Sequence, residues 1–222
     1  LQPKLSAAYN NLGGILNTLG RYEEAITIYT KLIELKPEHV AAHNNLSLVL
    51  KEIGRYEEAI ASASKAIELN PNYEKAYHTL GSTLTALGEY EKAISSFNQI
   101  IELNPNDIEA YNNLGIVLGK NEKFEEAEKS LAKSISINPH FPEAFNTQAT
   151  FLIKSGNFEK ALVKIKRAIE LKPDFSAAYR NLALIYDEFG NHNLSSKYLE
   201  IAKDLDPNLF SKDPDYIFYN SN

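Results

Sequence analysis

The chain of 222 residues contains no cysteine, no methionine and no tryptophan. Without cysteine, disulfide bridges and thiolate metal sites are excluded. Because methionine is absent and the chain starts at Leu1, we expect a fragment, a processed chain or an engineered one. No stretch approaches the ~18 apolar residues of a membrane span, so no membrane insertion is predicted. These absences leave the compartment unknown, and a cytoplasmic location is the favoured expectation.

An excess of positive charge is also missing. The chain has 23 Lys and Arg residues against 29 Asp and Glu residues, a net charge of −6. Recognition of nucleic acid usually needs a basic face, so no nucleic-acid partner is predicted. Apolar residues make up 44% of the chain, which is enough for a continuous core, and global disorder is not expected.

Proline, in contrast, recurs at a fixed period of 34 residues. It stands at Pro37, Pro71, Pro105, Pro139, Pro173 and Pro207. Such a period is typical of stacked supersecondary units. It divides the chain into a lead-in, 1–5, six repeats and a tail, 210–222. The repeats are 6–39, 40–73, 74–107, 108–141, 142–175 and 176–209.

Each repeat has the pattern of two helices. In the first repeat, Ala8, Leu12, Ile15 and Leu16 recur at spacings of three and four, which predicts one apolar helix face. A second apolar face follows Gly20, and proline then stops the second helix. We therefore predict an all-α fold, an α-solenoid of six antiparallel helix-turn-helix repeats.

When the six repeats are aligned, equivalent positions form columns whose residue sizes indicate how the helices pack. The column that begins at Tyr9 is large and mostly aromatic, and the column that begins at Gly13 is small. Small residues in register let two helices approach closely. A glycine occupies the turn between the two helices in every repeat except the fourth, which has Glu122.

These features resemble the tetratricopeptide repeat family. The resemblance rests on the period, the Tyr9, Leu12, Gly13 opening, the Tyr-Glu-Glu-Ala segment 22–25 and the closing proline, and it extends over all six repeats. It implies a right-handed superhelix in which the first helix of each pair lines a concave groove. Gln148 in the leucine column, Glu122 at the turn and a degenerate sixth repeat depart from the family pattern.

The sequence contains no group of residues with the spacing of a known catalytic site. His39 and His43 have a spacing that can present two metal ligands on one helix face, but His39 is expected to precede the helix and His43 belongs to the aromatic column. Gly115, Gly119 and Lys120 only faintly resemble a phosphate loop. We predict no enzymatic activity, no cofactor and no metal.

Two polar columns on the first helices indicate a binding surface. The first column contains Asn11, Asn45, Thr79, Asn113, Thr147 and Asn181, and the second contains Asn10, Asn44, His78, Asn112, Asn146 and Arg180. An asparagine amide can both donate and accept, which suits it to holding a peptide backbone. Asn11, Asn45, Asn113 and Asn181 match the asparagine ladder with which O-GlcNAc transferase, a member of the resembled family, grips extended polypeptide. The predicted peptide-binding groove comprises Asn10, Asn11, Asn44, Asn45, Leu48, Lys75, His78, Thr79, Asn112, Asn113, Ile116, Asn146, Thr147, Arg180, Asn181 and Leu184.

The family also has a carboxylate clamp for chaperone C-termini. Only Asn45 and Lys75 fit its pattern, so we predict that chaperone tails do not bind.

Several functions stay open at this stage. The first is a protein-interaction scaffold that binds an extended peptide or protein segment through the Asn and Thr ladder. The second is the substrate-presenting region of a larger enzyme such as a glycosyltransferase. A third is self-association through the tail, whose Tyr216, Ile217, Phe218 and Tyr219 are otherwise expected to pack on or near the last repeat. The alternative to all three is that the asparagines are solvated surface inherited by duplication.

Overall fold

The computed structural model describes residues 3–207, with side chains from residue 5 onward. This range contains twelve α-helices and no strand, which confirms the predicted all-α helical-repeat fold. The helices are α1 (Pro3–Thr18), α2 (Tyr22–Leu35), α3 (Val40–Glu52), α4 (Tyr56–Leu69), α5 (Glu74–Leu87), α6 (Tyr90–Leu103), α7 (Ile108–Lys120), α8 (Phe124–Ile137), α9 (Pro142–Lys154), α10 (Phe158–Leu171), α11 (Ser176–Glu188) and α12 (His192–Leu205). The tail, 210–222, lies outside the described residues.

Glycine and proline set the helix boundaries. The glycines that follow the first helices have φ between +71° and +85°, the left-handed conformation that glycine adopts without steric cost. Glu122 takes the same position with φ 60°. Each second helix ends two residues before a proline of the 34-residue series, and Pro142 opens α9 at a position where its missing N–H is not needed.

The chain packs as two compact units, Leu1–Lys123 and Phe124–Asn222. The division falls inside the fourth predicted repeat. In the first unit, consecutive helices pack on each other from α1 to α7, and the first helices α1, α3, α5 and α7 contact their neighbours in the same series. One core cluster in this unit combines Leu16, Ala25, Tyr29 and Val49.

The second unit contains α8 to α12. Its consecutive helices pack on each other, and α9 also contacts α11. The core combines buried side chains of α9, α10 and α11, including Ile165, Leu182 and Ile185. Tyr198 of α12 stacks on Tyr179 and Tyr186, with ring centroids 6.1 and 5.5 Å apart.

One face of α1 differs from the prediction of a continuous apolar core. Leu16 is buried, but Leu12 is 43% exposed and Ile15 is 58% exposed. The residue equivalent to Ile15 in α3, Val49, is fully buried in the cluster that includes Tyr29 of α2. Within the described range no helix precedes α1, so nothing covers its corresponding face. Sequence periodicity cannot distinguish the first helix of a stack from the helices inside it.

The sixth repeat has polar residues where the other repeats are apolar. His192 and Lys203 of α12 are exposed, whereas Ser195 is buried. These side chains distinguish α12 from the second helices of the other repeats.

Candidate functional site

A cavity of about 680 Å³ opens beside α1 in the first unit. Four of its residues belong to the predicted groove: Asn10, Asn11, Asn45 and Leu48. The other lining residues are Gly14, Ile15, Asn17, Thr18, Leu19 and Tyr29. Its volume lies within the roughly 300–1,000 Å³ typical of ligand-binding clefts. Four residues of the predicted groove therefore lie around one shallow, open cavity.

A hydrogen bond links two of the amides at this cavity. Asn45 of α3 donates from Nδ2 to Oδ1 of Asn10 in α1, at 2.9 Å. Burial raises the pKa of Tyr29, and the neighbouring amide of Asn45 partly opposes that rise. Asn11, in contrast, is exposed, so its amide faces solvent.

Further along the first unit, the polar columns connect adjacent first helices. Thr79 of α5 donates from Oγ1 to Oδ1 of Asn44 in α3, at 3.0 Å. Thr79 is 4% exposed and Asn44 is 2% exposed. Because both partners are buried, their hydrogen bond satisfies groups that would otherwise be costly to desolvate. We call this buried line of inter-helix pairs the polar seam.

The second unit contains the same seam. Asn181 of α11 donates from Nδ2 to Oδ1 of Asn146 in α9, at 2.9 Å, and to Oγ1 of Thr150, at 3.1 Å. Asn181 is buried, and so is Thr147, whose hydroxyl donates to the backbone oxygen of Glu143. In both units a residue of the first polar column thus donates to a residue of the second column on the preceding first helix.

The remaining predicted groove residues have varied surroundings. His78 Nε2 lies 3.2 Å from Oδ2 of Asp107, while Oδ1 of the same carboxylate accepts from the backbone N–H of Ala110 and caps α7. Lys75 is exposed and Asn112 is buried. The others are partly buried: Asn113, Ile116, Arg180 and Leu184.

Sequence reasoning missed six of the ten cavity residues. Tyr29 and Ile15 have spacings that predict apolar packing faces, and no sequence pattern predicted a role for Leu19. Gly14 gave the clearest available signal, because its column otherwise contains only residues with side chains: Leu48, Ser82, Ile116, Thr150 and Leu184.

The two histidines with metal-ligand spacing have structural partners. His39 precedes α3, as predicted, and its Nδ1 accepts from the backbone N–H of Ala42 at 3.1 Å. His43 Nε2 lies 2.8 Å from the backbone oxygen of Pro37. Over the part of the chain that the structure describes, no group of three or more His, Asp or Glu side chains could hold a metal ion.

Between residues 3 and 207, no helix is both long enough and apolar enough to cross a bilayer.

The helices define an all-α helical-repeat protein, and comparison with known proteins identifies which kind. Models of the tetratricopeptide repeat match residues 4–72, 63–95, 108–141 and 146–209, and a TPR repeat model matches residues 81–122. The chain belongs to the tetratricopeptide repeat (TPR) family. Proteins of this family generally act as protein-interaction scaffolds and are typically not enzymes.

Solved structures agree with this assignment. A tetratricopeptide repeat protein from Parabacteroides merdae superposes with a TM-score of 0.84 at 20% identity, covering 95% of this chain and 82% of that one. PilF from Pseudomonas aeruginosa gives 0.72 at 21% identity, covering 92% and 93%. YrrB, described as a TPR protein with an unusual peptide-binding site, gives 0.53 at 25% identity, covering 82% and 94%. The comparison with curated proteins found no match.

Proposed function

We propose that this protein is an interaction scaffold that binds an extended peptide or protein segment along the first helices, beginning at the cavity beside α1. The cavity is the observation on which the proposal depends. It combines four asparagine amides, at Asn10, Asn11, Asn17 and Asn45, with the apolar side chain of Leu48. Amides can hydrogen-bond to a peptide backbone without selecting particular side chains.

In this proposal the buried and the more exposed members of the first polar column have different roles. The partners in the polar seam, such as Thr79 and Asn181, hold adjacent first helices together. Three asparagines with exposed or partly exposed side chains contact the ligand through their amides: Asn11, Asn45 and Asn113. In this proposal only some residues of the predicted ladder contact the peptide. A side chain that is buried and already hydrogen-bonded is not accessible to a ligand.

Partner binding by a relative supports the general mode. YrrB shares the fold and is described as having a peptide-binding site. Each hydrogen bond to a ligand contributes about 0.5–1.5 kcal/mol net. With hydrogen bonds from these amides and the apolar contacts of one cavity, we expect a dissociation constant in the micromolar range, which corresponds to about 8 kcal/mol.

Asn11 offers the sharpest test because it is exposed and its replacement should not disturb packing. The probe is a linear peptide selected from a phage-displayed random library against the whole chain, with affinity measured by calorimetry. Asn11→Ala should weaken binding by about 3- to 10-fold, the loss of one hydrogen bond. Asn98→Ala, an exposed asparagine on α6, is the matched control and should leave affinity unchanged. If Asn11→Ala binds as tightly as the unaltered chain, Asn11 is not a ligand contact.

A further inference from the structure

Two adjacent glycines in α1 have very different surroundings. A Cβ added to Gly13 would lie 2.6 Å from Cε1 of Tyr29, so packing requires a glycine there. A Cβ added to Gly14 would meet only the hydroxyl of Tyr29, at 3.8 Å, which is ordinary van der Waals contact. Packing therefore explains Gly13 and leaves Gly14 unexplained.

Backbone conformation does not explain Gly14 either. It lies inside α1 and is not among the residues with positive φ. Glycine in a helix interior is much less favourable than alanine, because it loses more conformational freedom on folding. The first helix thus contains a residue that destabilises it and that its own packing does not need.

The position of Gly14 suggests what the glycine provides. Gly14 lines the cavity, and the equivalent residue of α3, Leu48, has a side chain that reaches the same cavity. A leucine at Gly14 would occupy space that is now open. The missing side chain therefore keeps the cavity accessible above the hydroxyl of Tyr29.

The lining defines the chemistry that would fit. None of the ten residues around the cavity is charged. Ile15, Leu19 and Leu48 supply apolar surface, and Ile15 and Leu19 are more than half exposed. The amides of Asn10, Asn11 and Asn45 lie among these apolar side chains. A charged group would lose hydration here without gaining a partner of opposite charge.

We infer that Gly14 opens an anchor pocket for one large apolar side chain of an extended peptide, whose backbone is held by the surrounding asparagine amides. This inference rests on the proposed function and adds a side-chain preference to it. The amides bind the peptide regardless of sequence, and the pocket selects the residue that it anchors. Gly14 is thus a specificity-determining residue.

The test begins with a selection of phage-displayed random linear peptides against the whole chain. Enriched peptides should share one large apolar residue. Replacing that residue with alanine in a synthetic peptide should weaken binding by about 10- to 100-fold, the value of burying one such side chain. Binding is measured by calorimetry for the parent peptide and its alanine version.

Variants of the protein then locate the anchor. Gly14→Leu should weaken the parent peptide by a similar factor and should abolish the difference between the parent and alanine peptides. Ser82→Leu, in the same column of α5, is the matched control and should preserve that difference. Leucine occurs naturally in this column at Leu48 and Leu184, so the substitution is compatible with the fold. A purely structural role for Gly14 would not remove the difference between the two peptides.

A milder variant gives an independent readout. Gly14→Ala should raise the melting temperature by about 2–4 °C while reducing peptide affinity. If the anchor preference persists in Gly14→Leu, or if enriched peptides share a charged residue instead, the inference is wrong while the proposed function stands. If the selection enriches no peptide, both are wrong.

Discussion

Tyr29 and Gly13 form a matched pair across the first two helices. The ring of Tyr29 lies where a side chain at Gly13 would be, with 2.6 Å between Cε1 and the position of a Cβ. The third repeat repeats this relationship between Phe97 and Gly81, at 2.8 Å from Cζ. An aromatic residue in the second helix thus requires glycine in the first.

This pairing predicts that Gly81→Ala destabilises the chain by about 1–3 kcal/mol, the usual cost of overpacking. Phe97→Leu creates space at the same contact and should cost about 1 kcal/mol or somewhat more by itself. In the double variant, however, the two costs should partly cancel, because the smaller side chain accommodates the new methyl group. Chemical unfolding followed by circular dichroism measures all three free energies. Strictly additive costs would show that the two positions are not coupled.

Much of this architecture could be predicted from periodicity alone. The prolines, the turn glycines and the apolar spacing located the helix pairs, because each feature acts through the local backbone. The coupling between Gly13 and Tyr29 was not anticipated, since it depends on which columns face each other. The exposure of Ile15 was missed for a related reason: burial depends on the neighbouring repeat, and the residue's own spacing does not reveal it.

The candidate site was predictable to a smaller extent. Asn10, Asn11, Asn45 and Leu48 were expected in the groove and do line the cavity. The sequence could not show that Asn44 is buried and bonded to Thr79, because an asparagine that bridges two helices has the same spacing as one that faces a ligand. Side-chain direction and partner choice come from tertiary packing.

Replacing Glu122 in the turn between α7 and α8 should stabilise the folded chain. Glu122 has φ 60°, a conformation that costs a residue with a Cβ roughly 1–2 kcal/mol, and the equivalent residues are all glycine. Glu122→Gly should therefore raise the free energy of unfolding by about 1 kcal/mol. Thermal and chemical unfolding would both detect the change.

The reverse substitution provides the control for that turn. Gly54 has φ +77°, and a Cβ added there would meet no atom within 4 Å. Gly54→Ala should thus cost about 1–2 kcal/mol through the backbone alone. If Glu122→Gly is neutral while Gly54→Ala is destabilising, the Glu122 side chain must compensate for its own backbone conformation.

Thr79 should contribute to stability and leave ligand binding unchanged. Thr79→Val keeps the shape of the side chain but removes the hydroxyl, which lies 3.0 Å both from the buried Oδ1 of Asn44 and from the backbone oxygen of Lys75. An unsatisfied buried acceptor costs about 1–3 kcal/mol. Thr79→Ser keeps the hydroxyl and is the control, which should lose less. A large loss of peptide affinity in Thr79→Val, at a temperature where the chain stays folded, would show that this residue contacts the ligand after all.

Alkaline pH should reveal the burial of Tyr29. The side chain is 2% exposed, and burial raises the pKa of its phenol above the unfolded value of about 10. A raised pKa means that the folded chain holds this proton more tightly than the unfolded chain does. The resulting stability is fully present below pH ~10 and is lost as the pH rises through the folded-state pKa.

Tyr29→Phe keeps the ring against Gly13 but cannot ionise, so its unfolding free energy should fall less steeply above pH ~10 than that of the unaltered chain. Chemical unfolding at a series of pH values measures both slopes. Equal slopes would mean that the phenol ionises as easily in the folded chain as in the unfolded one, and that the Tyr29 hydroxyl beneath the cavity is open to solvent.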